Sequence, residues 1–301
     1  MAHVSIIMRT KDRPQLLPRA LASVVSQTYP DWELIVVNDG GNPATVEKCV
    51  SMLDGSPARS KVSVINNPKS LGMEAASNCG IRASNGGLLV IHDDDDSWQP
   101  DFLSETIGYL ANKPYPEVAG VVSRSLRIVE SIEADGSIKT LERSEFNPWL
   151  EAVTLGRMTG DNCFPPIAFL YERRVLDKIG YYREDLPVLG DWDFNLRFLL
   201  YFDIGVLLKN LSNYHIRHAT EGAYGNSITA GRYDHAIYNS RVRNEYLRRD
   251  LEEGKIGLGY CLAVVPELLG VSRQVGMTQK GLATSLQVMQ GLAGLMRGGA
   301  R

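Results

Sequence analysis

The sequence predicts an α/β chain with a mainly parallel sheet, and three observations carry that prediction. Short apolar runs alternate with helix-period segments through the first half of the chain. The runs at 4–8, 32–37 and 87–92 end in polar or charged residues rather than in hairpin turns. The segments between them are long enough for the right-handed crossover helices that parallel strands require.

Taken in order, 4–8 reads as the first strand and 14–27 as a helix burying Leu16, Leu17, Leu21, Val24 and Val25. A second strand over 32–37 closes on the turn signal NDGG. A helix over 43–53, a strand over 61–65, a helix over 72–83 and a strand over 87–92 complete this part. In open parallel sheets ligands bind beyond the carboxyl ends of the strands. Residues 9–12, 38–40 and 92–96 are therefore expected on one rim. Further along, 100–110 reads as a helix, 118–122 and 126–132 as two strands, and 133–162 as an irregular excursion. A strand over 167–171, a short helix over 173–179 and a strongly periodic helix over 191–201 follow. Residues 214–226 read as a loop, 232–249 as a charged helix, and the rest as a helical appendage.

At 301 residues the chain can bury one large core or two modest ones. Its 44% hydrophobic and 22% charged content excludes fibrous and wholly disordered classes. A net charge of −3 gives no global nucleic-acid footprint. Cys49, Cys79, Cys163 and Cys261 are far apart and form no CxxC pair, so they read as free thiols of a reducing compartment. The start lacks a secretory apolar region, and no run reaches the roughly 18 apolar residues of a membrane span. A cytoplasmic location is expected.

The central feature is His92 followed by Asp93, Asp94, Asp95 and Asp96, directly after the apolar run LLVI. Four adjacent carboxylates must be solvated or neutralised, and a hard divalent cation such as Mg²⁺ or Mn²⁺ is one partner for them. If the segment stays extended, Asp93 and Asp95 point in similar directions and Asp94 away. The bland alternative is a solvated turn. His92 reads either as a donor to a carboxylate or as a structural hydrogen-bonder.

Three blocks together resemble the inverting family 2 glycosyltransferases, which have a nucleotide-sugar-binding GT-A fold. They are VSIIMRTKDRPQLLPRALASVVSQTYPDWELIVVNDGG, HDDDDSWQPDFL and LGDWDFNLRFLL, in the family's order. The resemblance implies a GT-A domain over 1–212, with a nucleotide-binding half at 1–98 and an acceptor-binding half at 99–212. A lid loop and helical extension would occupy 213–301. It implies a metal-dependent transfer from a nucleoside-diphosphate sugar, a UDP-sugar first and a dTDP-sugar as the alternative. The acceptor would be a saccharide or lipid-linked saccharide, as in polysaccharide biosynthesis at the cell envelope.

The residue roles are likewise those that the resemblance implies. Thr10, Asp12 and Asp39 would face the nucleotide, although NDGG also makes Asp39 a plain turn residue. Gly72 and Asn78, within SLGMEAASNCGI, would lie beside it, with Ser77 where many relatives carry arginine. Asp93 and Asp95 occupy the metal-motif positions, Asp95 as the direct ligand and Asp93 toward ribose or a metal-bound water; Asp94 joins the donor-binding set. Asp191 takes the position of the base, the alternative being an acidic residue that the helix dipole favours in a first turn. Trp192, Asp193 and Asp161 are acceptor-side candidates, with packing as the other reading of Trp192. His218 would complete the metal shell, or be an ordinary loop histidine, and Arg217 would touch the diphosphate. Arg241, Arg243, Arg248 and Arg249 make the tail locally basic, which suits helix packing, self-association or peripheral membrane contact. A noncatalytic binder and a nucleotidyltransferase are the competing classes. The first predicts a lost carboxylate set, and the second leaves LGDWDFNLR unexplained.

Overall fold

The computed structural model describes residues 3–133, 135–217, 224, 232–266 and 268. Among them the chain falls into two compact units, the first of residues 1–158 and 162–242, the second of 159–161 and 243–301.

The first unit is built on one mixed sheet, ordered β3-β2-β1-β4-β8-β6-β9-β5 with β7 beside β6. Its strands are β1 (Val4–Thr10), β2 (Trp32–Asp39), β3 (Val62–Asn67), β4 (Leu88–Asp93), β5 (Ser97–Trp98), β6 (Val118–Ile132), β7 (Ile138–Glu145), β8 (Phe169–Glu172) and β9 (Asp203–Arg217). The first four strands pair in parallel, as alternation with helices α1 (Leu17–Val25), α2 (Pro43–Val50) and α3 (Met73–Ala83) demands. β1 is sealed on both faces, with Ile6, Ile7 and Met8 fully buried, which is why it reads as an unbroken apolar run. α2 starts where Asn42 accepts from the Ala44 amide and Pro43 takes the first helical position. α4 (Phe102–Ala111) stacks Phe102 on Trp98, whose other side meets His92 edge-on at 4.5 Å. α5 (Leu155–Gly160), α6 (Leu176–Ile179) and α7 (Gly190–Leu199) follow, and then α8 (Arg232–Glu252).

Three expectations need correction. The strands expected at 118–122 and 126–132 are one continuous β6; the polar Ser123 and Ser125 between them are buried against Ser212 of β9. The loop expected from 214 is instead the end of the 15-residue β9, which lies inside the sheet beside β6. Its polar residues hid it, because their partners are remote: Asn213 accepts from Gln99 and donates to Ser97, and His215 meets Glu130. The boundary expected between 212 and 213 therefore falls inside a strand. The excursion at 133–162 contains a true strand, β7, whose charged, exposed face gives no alternation to read.

Within the second unit, Arg243 donates to the carbonyls of Thr159 at 2.9 Å and Leu262 at 2.6 Å. Asp250 accepts the amides of Gly257 and Tyr260, closing the turn after α8. No helix among the described residues is long and apolar enough to cross a membrane.

Candidate functional site

The carboxyl ends of β1, β2 and β4 open into a cleft of about 470 Å³. Its walls carry Thr10, Asp12, Asp39, Gly72, Asp93 and Asp94, all expected at the nucleotide, together with Arg9 and Arg13. Parallel register sets Arg9 directly across from Asp93. The Arg9 guanidinium forks onto Asp93 Oδ1, with Nε at 3.1 Å, and Nη1 lies 3.3 Å from the Ser77 hydroxyl. Asp12 adopts a left-handed φ of +53°, and its Oδ1 accepts the Asn42 amide at 3.0 Å. Gly72 has a φ of +98°, which glycine alone adopts without strain, and leads into α3.

Asp39 is turned toward its own rim. Burial pushes its carboxyl up, but Asn67, the Leu71 and Gly72 amides and Ser70 outweigh burial and hold it below the ordinary range. It fixes the loop that forms one wall of the cleft.

The acidic run does not stay extended. Asp94 and Asp95 form a turn, with the Asp96 amide bonded back to the Asp93 carbonyl. Each of Asp93, Asp94 and Asp95 acquires an arginine. Arg13 donates to Asp94 Oδ1 at 3.0 Å and Asp95 Oδ2 at 3.2 Å. Arg217, fully buried, donates to Asp95 Oδ2 and, at 2.9 Å, to Glu130 Oε1. Arg19 grips both oxygens of the same Glu130. Burial opposes ionisation of Glu130, yet His215 and Arg19 bring it down to about 2. Asp96 is buried, pushed well above the carboxylate range, and accepts the His215 amide, so it ties β9 to the rim. His92 is a core residue: burial lowers it to about 4, and it sits between Ser23 and the Asp93 carbonyl.

Two buried oxygens at the cleft wall, Thr10 Oγ1 and Asp94 Oδ2, make no hydrogen bond of normal geometry, although the Thr10 hydroxyl is near enough to Asp94 to pull its carboxyl down. Burial lifts the Asp94 carboxyl to about 6 despite Arg13. Hard oxygens of this kind fit Mg²⁺ or Mn²⁺ held by one or two carboxylates plus phosphate oxygens and water. Asp93, Asp94 and Asp95 each bond arginine through one oxygen, and Asp94 Oδ2 is a second, buried oxygen at the wall. Among the described residues no group of three or more His, Cys, Asp or Glu surrounds a common ion position. His218 lies outside the described residues.

Asp191 is the second residue of α7, which starts at Gly190 after Leu189, whose φ of +66° is a strained, left-handed turn for a branched residue. Its Oδ1 accepts the Trp192 amide at 2.8 Å and its Oδ2 accepts Asn162 Nδ2 at 2.8 Å. Burial pushes its carboxyl up, against the pull of that amide and of Arg9. Behind it lies Glu74, a buried carboxyl raised to about 8 by burial, with Arg9 pulling down and Asp191, Asp93 and Asp193 pushing up. Glu74 packs against Gly190 so closely that a Cβ there would lie 2.4 Å from its carboxyl carbon.

Three residues expected to bind donor or acceptor are corrected. Asn78 is buried and bridges to Tyr182 in both directions, donating to its carbonyl at 2.8 Å and accepting its amide at 3.0 Å. Asp193 is fully buried, bonded to Arg197 at 2.7 Å and 3.7 Å from Arg183; it holds the turn before α7 and presents nothing to an acceptor. Trp192 is buried with its indole N–H on the Met158 carbonyl, a packing role rather than a sugar platform. Asp161 groups with the second unit, where Arg243 lies within its electrostatic reach. The sequence alone assigned no role to Arg9, Asn162 or Glu74. Arg9 and Glu74 were visible as charges inside otherwise apolar patterns.

The profile of Glycosyl transferase family 2 matches residues 5–180, more than half of the chain. The chain belongs to that family. It is a glycosyltransferase with a GT-A fold. An uncharacterized glycosyltransferase of Bacillus subtilis, YwdF, is 28% identical over 194 residues, which cover 64% of this chain and 67% of that one. A PGL/p-HBAD biosynthesis glycosyltransferase of Mycobacterium bovis is 27% identical over 195 residues, covering 64% and 68%. An uncharacterized Nostoc relative is 29% identical, and the match spans only 52% of its length. Among solved structures, S. aureus TarS 1–349 in complex with UDP-GlcNAc has a TM-score of 0.54 at 18% identity, over 74% of this chain and 61% of that one. The mannosyltransferase PcManGT of Pyrobaculum calidifontis, in complex with GDP-Man and Mn²⁺, has a TM-score of 0.58 at 15% identity, over 95% and 81%.

Proposed function

We propose that this glycosyltransferase moves a sugar, with inversion, from a nucleoside-diphosphate donor to a hydroxyl of a saccharide or lipid-linked saccharide. A UDP-sugar is the first choice of donor. The observation that supports the reading is one cleft lined by Arg9, Arg13, Asp93 and Asp94, with Asp191 in electrostatic reach of Arg9 and Asp93. The donor class draws further on TarS structures with UDP and UDP-GlcNAc, and on PcManGT with GDP-Man and Mn²⁺.

On this reading Arg9 and Arg13 meet the diphosphate, while the loop held by Asp39 shapes the nucleoside end. Asp94, with Asp95 behind it, would hold Mn²⁺ or Mg²⁺, which when bound neutralises charge on the departing diphosphate. Asp191 receives the acceptor hydroxyl's proton as its oxygen attacks the anomeric carbon opposite the leaving group. A partly buried carboxylate whose pKa is raised is a better proton acceptor at neutral pH than an exposed one. The test is a panel of UDP-, dTDP- and GDP-sugars with Mn²⁺ or Mg²⁺, scored by nucleotide release with and without saccharide acceptors. Asp191→Asn should abolish transfer and retain donor binding. Transfer near the parent rate in that variant would sink the assignment of the base. Peripheral membrane contact through 213–301 is tested by flotation with anionic vesicles, comparing the full chain with one ending near Arg232; equal absence of binding rejects it.

A further inference from the structure

We propose that Asn162 is the positioning residue of the base, the middle of a relay in which Asn195 orients Asn162 and Asn162 orients Asp191. The proposal rests on the reading of Asp191 as base, but its physical core, the state of that carboxyl, is separable from the reaction.

Asn195 lies one helical turn beyond Asp191 on α7 and is buried. Its Nδ2 donates to Asn162 Oδ1 at 3.2 Å, which fixes the amide so that Nδ2 of Asn162 points at Asp191 Oδ2, 2.8 Å away. The other oxygen, Oδ1, takes the Trp192 amide at 2.8 Å. Each oxygen of an ionised carboxylate has two acceptor sites. One donor on each oxygen sets the plane of the group and leaves a second site on each. A free carboxylate on Cβ would rotate; this one is pinned from two directions, over a turn already strained at Leu189.

The relay also sets the charge state. Burial and Asp93 favour the protonated form, which cannot accept a proton. The Asn162 hydrogen bond to Oδ2 favours the ionised form on general grounds, and the Trp192 amide, Arg9 and His235 also lower this carboxyl. A hydrogen bond to a charged acceptor is worth about one pH unit. Losing it should therefore raise the titration of Asp191 by about that much and lower kcat at pH values below the raised titration, with KM for the donor unchanged.

The direct test needs no substrate. The full chain is labelled with [¹³Cγ]aspartate, the Asp191 resonance is assigned by its loss in Asp191→Asn, and carboxyl titrations are followed by NMR. Asn162→Ala is expected to move the Asp191 titration up by about one pH unit, and Asn195→Ala to move it the same way by less. Asn162→Asp should turn one titration into two coupled steps, as two close carboxylates share a proton. An unmoved Asp191 titration in folded Asn162→Ala overturns the proposal, and so does an Asn195→Ala effect without an Asn162→Ala effect. Asn162→Leu, which keeps the volume and has no donor, covers the case in which Asn162→Ala does not fold; a titration in it lower than or equal to that of the parent overturns the proposal. If Asp191→Asn keeps its transfer rate while the Asn162→Ala titration shifts, the base reading fails and the relay stands.

Discussion

Replacing Glu74 by glutamine tests the charge balance behind Asp191. Glu74 is buried, and its carboxyl is raised from 4.5 to about 8 by burial first, then by Asp191, Asp93 and Asp193, with Arg9 opposing them. Tyr182 also faces it. Because its folded value lies above the unfolded one, its contribution to stability is whole below about pH 4.5 and is lost as pH rises toward 8. At about 1.4 kcal/mol per pH unit, the loss is ~1 kcal/mol at pH 5, ~3 at pH 7 and ~5 at pH 9. Glu74→Gln keeps the shape of the protonated acid and carries no such dependence. A buried amide short of one partner takes back about 1–2 kcal/mol, but equally at every pH. The assay is urea unfolding of both proteins at pH 5, 7 and 9. The variant should gain on the parent by several kcal/mol between pH 5 and pH 9. Two curves separated by a constant gap would show that Glu74 is ionised throughout, and would refute the reasoning.

Further outcomes follow from the same geometry. Gly190→Ala places a Cβ 2.4 Å from the Glu74 carboxyl carbon; it should lower the melting temperature, and Glu74→Ala in the same chain should restore part of the loss, read as a double-mutant cycle. Glu130→Gln removes the anion that Arg19, Arg217 and His215 share, and should destabilise the first unit by about 3–5 kcal/mol in urea unfolding at pH 7. Since the folded value of Glu130 is lowered to about 2, its contribution is present above about pH 4.5 and falls away as pH drops toward 2; the parent should lose its advantage over Glu130→Gln in that window. Asp94→Asn should weaken the gain in UDP affinity that Mn²⁺ provides, measured by calorimetry with and without the metal; an unchanged gain would place the ion elsewhere.

Much of the fold was legible because parallel strands buried on both faces are written as unbroken apolar runs, and β1, β2 and β4 are such runs. The rim was legible for the same reason, since charge following an apolar run marks a strand's carboxyl end. β9 was not, because its buried polar groups are satisfied by residues more than eighty positions away, and a local window sees only Ser, Asn and His. The candidate site divides in the same manner. Asp39, Asp93 and Asp191 announce themselves by position, but whether a carboxylate faces the cleft or an arginine depends on tertiary neighbours. Asn78 and Asp193 have the composition of binding residues and the surroundings of struts. Asn162 carries no local signal, since one amide in an irregular segment reads as loop chemistry.

The arginines beneath the acidic run bear on how the cleft receives an anion. Arg9, Arg13, Arg19 and Arg217 stand against Asp93, Asp94, Asp95 and Glu130, one guanidinium for each carboxylate. Such a rim has almost no net field at a distance, so it draws a diphosphate in from solution weakly, and added salt slows that encounter little. On the proposed reading, capture would be an exchange of partners at short range. A phosphate would take a guanidinium from its carboxylate, and the carboxylate left behind would offer a seat to a cation. Anion and metal would thus enter as a pair, each creating the other's vacancy, and the affinity measured for either alone would understate what the two achieve together.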